Sequence, residues 1–590
     1  MSAGLIGLLT LRRATSKLWN LESCCKCVTR VGHFRALSSR AFLLSRLQTS
    51  IGWTGTTLRS QSKAATYYSY YSYSTVTTYI PTELKIVKDL KESSNYDGIV
   101  LISGTPPGEQ EPEPFKSILS TNAQMDSGLF ENGAVLPIDL PPKRFVYSPT
   151  GPMDPDYDDV RVYTEAAMKG MKRALKAGMK SPLLILLPDT RYKHTELVTL
   201  LGALEALYVP LEVREISDDR THKAKYLGIW SPIDSKKLET IVKLATALES
   251  GRYVARDIGG SDPERMAPPK IEEYIQKLFK GTSIDVQVTS DRPTLEKEYP
   301  LFAAVDRAAS TIPRHAGRVV YLTYEPTDAK ETIMLVGKGV TMDTGGLNIK
   351  TGNKMTSMSR DKCGAASAAG FMQTVNLLKP SGTKVMVGLA LVRNSVGENA
   401  YVVDEVITAR SGARVRVGNT DAEGRFAMAD LLCRFKELAV KEVNPHLLTI
   451  ATLTGHAQAS AGIGYSIAMD NSVARSANNA YKLQESGESL ADPFEVSIIR
   501  KEDLKSMKGE AEGIDVLQIQ KNSDEGRGHQ SAGAFLVLAS GLKKHDVASE
   551  KPLKYTHLDI AGSAAMDMNK NVNAVTICAL AKHFFEKMFE

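Results

Sequence analysis

VGKGVTMDTGGLNIKTGNKMTSMSRD, running from Val336 to Asp361, carries Lys338, Asp343, Lys350 and Asp361 between glycine turns, and NTDAEGR, from Asn419 to Arg425, adds Asp421, Glu423 and Arg425. Four carboxylates near such turns offer oxygen donors that suit divalent ions such as Zn, Mn, Mg or Co. Two ions about 3.5–4 Å apart need bridging carboxylates, and four acids are a normal complement for such a pair. Residues two apart, as in Asp421-x-Glu423, can flank one site in an extended turn. Left unpaired, acids this crowded would repel one another. A solvated acidic loop accounts for DAEG alone, but poorly for its company with Lys338, Lys350 and Arg425 in stretches so rich in glycine and small residues.

Working outward, strands and helices alternate. Val319–Thr323, Ile333–Val336, Lys384–Ala390 and Leu447–Thr452 read as strands, and Cys363–Leu378, Arg425–Val440, Gln530–Lys543 and Ala574–Phe589 as helices. Both motifs then fall at strand ends or helix starts, and the carboxyl edge of an open α/β sheet is where ligands bind. Nearer the N-terminus, Gly98–Ile102 and Leu183–Leu187 read as buried strands, while Tyr157–Ala177 and His194–Ala206 have helical spacing. No constellation of ligands or nucleophiles occurs in that part, which reads as a scaffold or oligomerisation domain. Asp234–Asp257 is helical, and GGSDPERMAPP after it breaks the pattern. The fold class is α/β: two α/β domains, each with a largely parallel central sheet flanked by helices, joined by a connecting helix.

The whole-chain charge of +6 invites a nucleic-acid reading, but the basic excess is badly distributed. Residues 1 to 66 hold ten Lys/Arg against the single acid Glu22, a surplus of nine, which leaves the remainder at −3. A body of that charge has no electrostatic reason to seek phosphate backbones, so no nucleic-acid partner is expected. No run of eighteen or more apolar residues occurs, and no membrane span is expected either. The first sixty residues are Arg-rich, Ser/Thr-rich and nearly acid-free, with Leu5, Leu8, Leu9, Leu11 and Leu18 spaced as on one helix face. That is the composition of a mitochondrial transit peptide, which places the protein in the matrix; the alternatives are a basic tail or an upstream start, with a cytoplasmic protein. YYSYYSYSTVTTY, from Tyr67 to Tyr79, reads as a low-complexity linker. Cys24 and Cys27 have C-x-x-C spacing without a second pair, and Cys363, Cys433 and Cys578 sit in apolar or small-residue contexts as buried thiols.

Spacing removes two other chemistries. GKG at Gly337–Gly339 lacks the flanking residues of a P-loop, and neither H-E-x-x-H nor G-x-S-x-G occurs. The pair VGKG-x3-D-x-GG-x3-K…RD and NTDAEGR instead resembles the leucyl aminopeptidase (M17) family of two-metal peptidases. ARDIGGSDPERMAPPKIEEYI at Ala255, TLTG at Thr452, QSAGAF at Gln530 and HLDIAG at His557 resemble its further segments in order. Composition and pattern give a basic leader and linker over 1–80, an N-terminal α/β domain over 81–233 and a connecting helix over 234–259. The resemblance covers the catalytic domain over 260–590, and the N-terminal part matches the family only in size and α/β alternation, as a macro-like domain.

Carried residue by residue, it implies that Asp343 and Glu423 bridge two divalent metals, Zn and/or Mn. Lys338 and Asp361 would complete the tighter site and Asp421 the more exchangeable one. Lys338 could ligate only as a neutral amine, with its pKa strongly depressed. Lys350 would serve as electrophile against the substrate carbonyl, and Arg425 would hold a bicarbonate acting as general base. Met358, Asn419, Thr452, Leu453 and Ala561 match substrate-pocket positions. The implied activity is removal of a Leu-like or other apolar N-terminal residue from peptides by a homohexamer. Because the substrate's free amine would itself be a metal ligand, exopeptidase specificity follows.

The sequence also departs from the family pattern. Met342, Thr351-Gly352 and Lys362-Cys363 replace the usual residues, and His456 follows TLTG where a small or apolar residue is normal. Lys362 adds a charge beside a ligand that would bear on metal preference or the pocket. His456 reads as a core or pocket-wall residue, and His557 as structural. The competing function is a catalytically weak structural protein of mitochondria, of the sperm leucyl aminopeptidase type. The complete set of seven ligand and cationic positions argues against it, since a structural role has no use for clustered acids.

Overall fold

Apolar runs bounded by turns become the strands of two large sheets in the computed structural model, which describes residues 80–104, 111–520, 526–564 and 570–590. The basic leader, the Tyr/Ser run and Cys24, Cys25 and Cys27 lie outside the described residues. All described residues belong to one compact unit, Tyr73–Glu590.

The first sheet has six strands in the order Glu83–Ile86, Tyr226–Trp230, Pro182–Ile185, Gly98–Ser103, Arg144–Pro149 and Ala134–Pro137. Every pairing is parallel except that of the last strand. Its strands read as continuous apolar runs because both faces are covered. Ile99 and Leu101 point to one face, beside Phe115 and Leu119 of the helix Phe115–Ala123, and Val100 and Ile102 point to the other.

The second sheet has eight strands, ordered Phe494–Ile498, Ser466–Asp470, Lys554–Asp559, Pro445–Ala451, Glu331–Asp343, Thr383–Asn394, Arg318–Tyr324 and Asp285–Thr289. Its four central strands, from Lys554–Asp559 to Thr383–Asn394, are mutually parallel, and antiparallel pairings lie toward the margins. Helices Cys363–Leu378 and Ser235–Gly260 cover one face; Glu423–Ala439, Gly528–Ala539 and Pro300–Asp306 cover the other. A small third sheet pairs Val406–Thr408, Arg414–Arg416 and Val516–Leu517. The architecture is α/β with largely parallel sheets flanked by helices.

The helix Ser235–Gly260 starts on an Asp234 cap that accepts from Lys236 N–H and Lys237 N–H. It shares one apolar core with strands of both sheets, including Val100, Leu184, Leu335 and Val387. Cys363, Cys433 and Cys578 are buried free thiols.

Buried histidines make part of this core sensitive to acid. Burial pushes His446 down to about 3; its Nε2 lies 3.0 Å from Thr556 Oγ1. A base whose folded pKa lies below its unfolded value of about 6.5 contributes stability above 6.5 that is lost as pH falls, because only the unfolded chain takes up the proton. We expect His446→Gln to lose about 2 kcal/mol less stability than wild type between pH 6.5 and 4.5. Urea unfolding at the two pH values measures this, and equal losses would show that His446 does not titrate so.

Candidate active site

The carboxyl ends of the four central parallel strands converge on one place, and each delivers part of it. The strand Glu331–Asp343 carries Lys338 on the face of Val336 and Val340 and ends on Asp343. Gly337, on the opposite face, lets the helix Cys363–Leu378 approach closely: a Cβ there would lie 2.6 Å from the Cα of Ala365. The GKG motif is thus a packing requirement around a buried lysine. Asp361 stands just before that helix. The turn Asn419–Ala422 presents Asp421 and opens the helix Glu423–Ala439, whose first turn contains Glu423 and Arg425. Acids are favoured at such a position by the helix dipole. Between them, Gly424 leaves room for Lys338, whose Cε would sit 2.4 Å from any Cβ.

Carboxylate oxygens of Asp343, Asp421 and Glu423 lie within 4.8 Å of one another. Lys338 Nζ donates to Asp361 Oδ1 at 2.7 Å and to the Thr452 carbonyl at 3.0 Å, and stands 3.0 Å from Glu423 Oε1. Lys350 Nζ bridges Asp343 Oδ2 at 2.8 Å and Asp421 Oδ1 at 2.5 Å. Burial, reinforced by the charge of Asp343, raises the pKa of Asp421 and lifts that of Glu423 well above the usual range. Burial also raises Asp361, to about 6, although Lys338 opposes it. For Lys338, burial alone would lower the pKa, but Asp361, Glu423 and Asp343 outweigh it and hold the ammonium above the ordinary lysine range. Glu423 Oε2 is buried without a hydrogen-bond partner. Arg425 Nη1 donates to the Gln518 carbonyl at 2.8 Å, its Nε is buried and unpartnered, and burial pushes its pKa down to about 10. The five candidate ligands and the two candidate catalytic cations therefore share one site.

Three polar residues that the sequence reading missed tie the two motif stretches together. Asn394 ends the neighbouring strand opposite Asp343, after a register irregularity that follows Val392. Its Nδ2 donates to Asp343 Oδ1 at 2.8 Å and to the Thr420 carbonyl at 3.0 Å. Thr420 Oγ1 donates to the Gly345 carbonyl and accepts from Asn348 N–H. Gln518, fully buried, accepts from Gly418 N–H and Asn419 N–H and donates to the Ala422 carbonyl. Asn394 and Gln518 are ordinary polar residues distant in sequence from the groups they hold, so spacing gave no signal, and Thr420, although beside Asp421 in NTDAEGR, takes its partners from the other stretch.

Of the candidate pocket residues, Thr452 and Leu453 follow the strand Pro445–Ala451, and Ala561 follows Lys554–Asp559. Thr452 Oγ1 donates to Asp361 Oδ1 at 2.9 Å. Asn419 Oδ1 accepts from Asp421 N–H at 2.9 Å and so shapes the ligand turn. Met358 opens the short helix Met358–Arg360 ahead of Asp361. Lys362 is fully buried, and its Nζ donates to the backbone carbonyls of Ser261, at 2.9 Å, and Ser359. Its charge thus ties the end of the helix Ser235–Gly260 to the loop before Asp361. His456 packs against Gly528, and the buried His557 lies 2.7 Å from Thr449 Oγ1 through Nδ1.

The family model for the cytosol aminopeptidase family, catalytic domain (peptidase M17), matches residues 253–581. A Caenorhabditis elegans protein that bears an aminopeptidase name is 41% identical over 482 residues, covering 79% of this chain and 91% of that protein. A Wolinella succinogenes protein named as a cytosol aminopeptidase is 30% identical over 344 residues, 58% of this chain and 66% of its own. Among solved structures, the bottromycin maturation enzyme BotP in complex with Mn superposes with a TM-score of 0.67 at 19% identity, covering 83% of this chain and 99% of that one. At that identity the likeness speaks for the fold alone. The family match spans every residue of the site, and the chain belongs to the cytosol aminopeptidase (M17) family.

Proposed function

We propose that the chain is a metal-dependent aminopeptidase that removes a Leu-like or other apolar N-terminal residue from peptides, with two divalent ions, Zn and/or Mn, and a bicarbonate. The observation that carries this is the convergence of Asp343, Asp421 and Glu423 oxygens within 4.8 Å, with Lys350 beside them. The residues fit such ions: the donors are hard oxygens, and Glu423 Oε2 is buried and lacks any other partner. They fit the anion too, since Arg425 keeps a buried, unpartnered Nε. BotP, of like fold, is described in complex with Mn.

Asp343, Asp361, Asp421 and Glu423, with Lys338, would hold the two ions. Bound ions would supply Lewis-acid polarisation and a lowered water pKa. Lys338, held protonated here by Asp361, Glu423 and Asp343, would have to give up its proton to serve as a nitrogen donor. Lys350 would turn its ammonium toward the substrate carbonyl and stabilise charge developing there, and Arg425 would hold the bicarbonate, which would supply a general base. The retained ligand set weighs against a purely structural role. Leader composition supports a mitochondrial matrix location, and a tagged full-length chain that stayed in the cytosol would remove that assignment.

The test is hydrolysis of Leu-, Met- and Cys-Gly-type substrates by the full-length protein, with Mn and Zn supplied in turn. Turnover of free but not N-acetylated substrates is expected, from a species that sediments as a homohexamer. No turnover with either metal would favour the structural reading, and a one-subunit mass would remove the hexamer.

A further inference from the structure

HLDIAG contains a carboxylate that the ligand set leaves out, Asp559, which ends the central strand Lys554–Asp559 and is fully buried. Among the described residues it has no cation within ion-pair distance; its oxygens meet neutral donors instead. Oδ1 accepts from Leu453 N–H at 3.1 Å and Ala561 N–H at 3.2 Å, and Oδ2 accepts from Thr454 Oγ1 at 2.8 Å. Thr454 Oγ1 in turn accepts from Ala457 N–H at 3.1 Å, capping the helix Gly455–Ala461. One carboxylate therefore fixes two segments that carry candidate pocket residues, the turn Thr452–Thr454 and the start of the loop at Ala561.

The same turn reaches the metal centre. Its Thr452 carbonyl accepts from Lys338 Nζ at 3.0 Å, and Thr452 Oγ1 donates to Asp361 Oδ1 at 2.9 Å. Moving the turn would move two partners of the Lys338–Asp361 pair at once. Burying an uncompensated carboxylate is costly, and three converging donors are the arrangement that offsets it.

We propose that Asp559 is a positioning residue for the reaction: by clamping the Thr452–Thr454 turn to Ala561, it sets both the tighter metal site at Lys338 and Asp361 and the substrate-facing wall. This rests on the aminopeptidase reading.

The experiment compares full-length wild type, Asp559→Asn and Asp559→Ala. Mn2+ binding to chelator-treated protein is followed calorimetrically, kcat and KM are measured on a leucine anilide, and circular dichroism reports the folded fraction. Asp559→Ala is expected to weaken tight-site Mn2+ binding by about 10- to 100-fold, the scale of lost supporting hydrogen bonds around a metal site. It should also raise KM and lower kcat per folded molecule. Asp559→Asn keeps the Oδ1 acceptor and the shape but turns the oxygen that accepts from Thr454 Oγ1 into a donor, so a smaller loss of the same kind is expected, and it carries the test if the alanine variant does not fold. Folded variants that match wild-type Mn2+ affinity, kcat and KM, even with a lower melting temperature, would overturn the proposal. Wild type that neither binds Mn2+ nor turns over would instead sink the aminopeptidase reading, and this inference with it.

Discussion

Lys350→Ala is expected to lower kcat/KM for peptide substrates by about 10³-fold while leaving the fold and the metal-binding stoichiometry in place. Lys350 Nζ stands between Asp343 and Asp421, at 2.8 and 2.5 Å, on a side chain 13% exposed, where it can turn from those acids to an incoming carbonyl. Its charge is secure. Burial lowers its pKa, but Asp343 and Asp421 outweigh that and keep the ammonium above the ordinary lysine range. The loop that carries it is fixed independently, by Lys350 N–H to the Thr344 carbonyl and Asn348 N–H to Thr420 Oγ1. Truncation therefore removes a charge without unmaking its support. Steady-state kinetics with metal titration in parallel measures the effect. Near-normal turnover would show that Lys350 is only a counter-ion for the acids.

Glu423→Gln should separate metal affinity from folding. Glu423 is buried, and its carboxylate is disfavoured by burial and by Asp343, against which Lys338, at 3.0 Å, and Lys350 work. Glutamine keeps the shape and removes a like charge, so the melting temperature in chelator is expected to hold or rise. With Mn2+ present, wild type should gain about 2.7 kcal/mol when the free ion exceeds its dissociation constant a hundredfold. The variant should gain little and lose about 10³-fold in turnover, since Lewis-acid stabilisation is worth several kcal/mol. Equal stabilisation of both proteins by Mn2+ would remove Glu423 from the ligand set.

Local patterns made the ligand stretches and the helix Cys363–Leu378 legible in the sequence, the latter to the residue. Ile333–Val336 was readable as a strand only over its apolar part, because Lys338 looks like an ending. The strand instead runs from Glu331 to Asp343, with that lysine buried among acids. Asp285–Thr289 and Phe494–Ile498 were not read as strands: at the sheet margins they are only partly buried and lack a continuous apolar run. Asn394 and Gln518 act across long sequence separations that no motif records, and Asp559, although inside HLDIAG, meets Leu453 and Thr454, 106 and 105 residues away, only through strand pairing. Lys362 illustrates the opposite limit. Its place beside Asp361 suggested a charge in the pocket, whereas its Nζ is held by two backbone carbonyls.

Gly337 and Gly424 perform no chemistry, yet each gives up its side chain so that Lys338 can lie between one helix and the start of another. A saturation mutational scan scored on abundance would mark these two positions as strictly as one scored on turnover. Lys350 and Arg425 would emerge only in the second. The difference between the two maps would therefore isolate the chemical residues from their spacers, a separation that sequence comparison of active relatives alone cannot make.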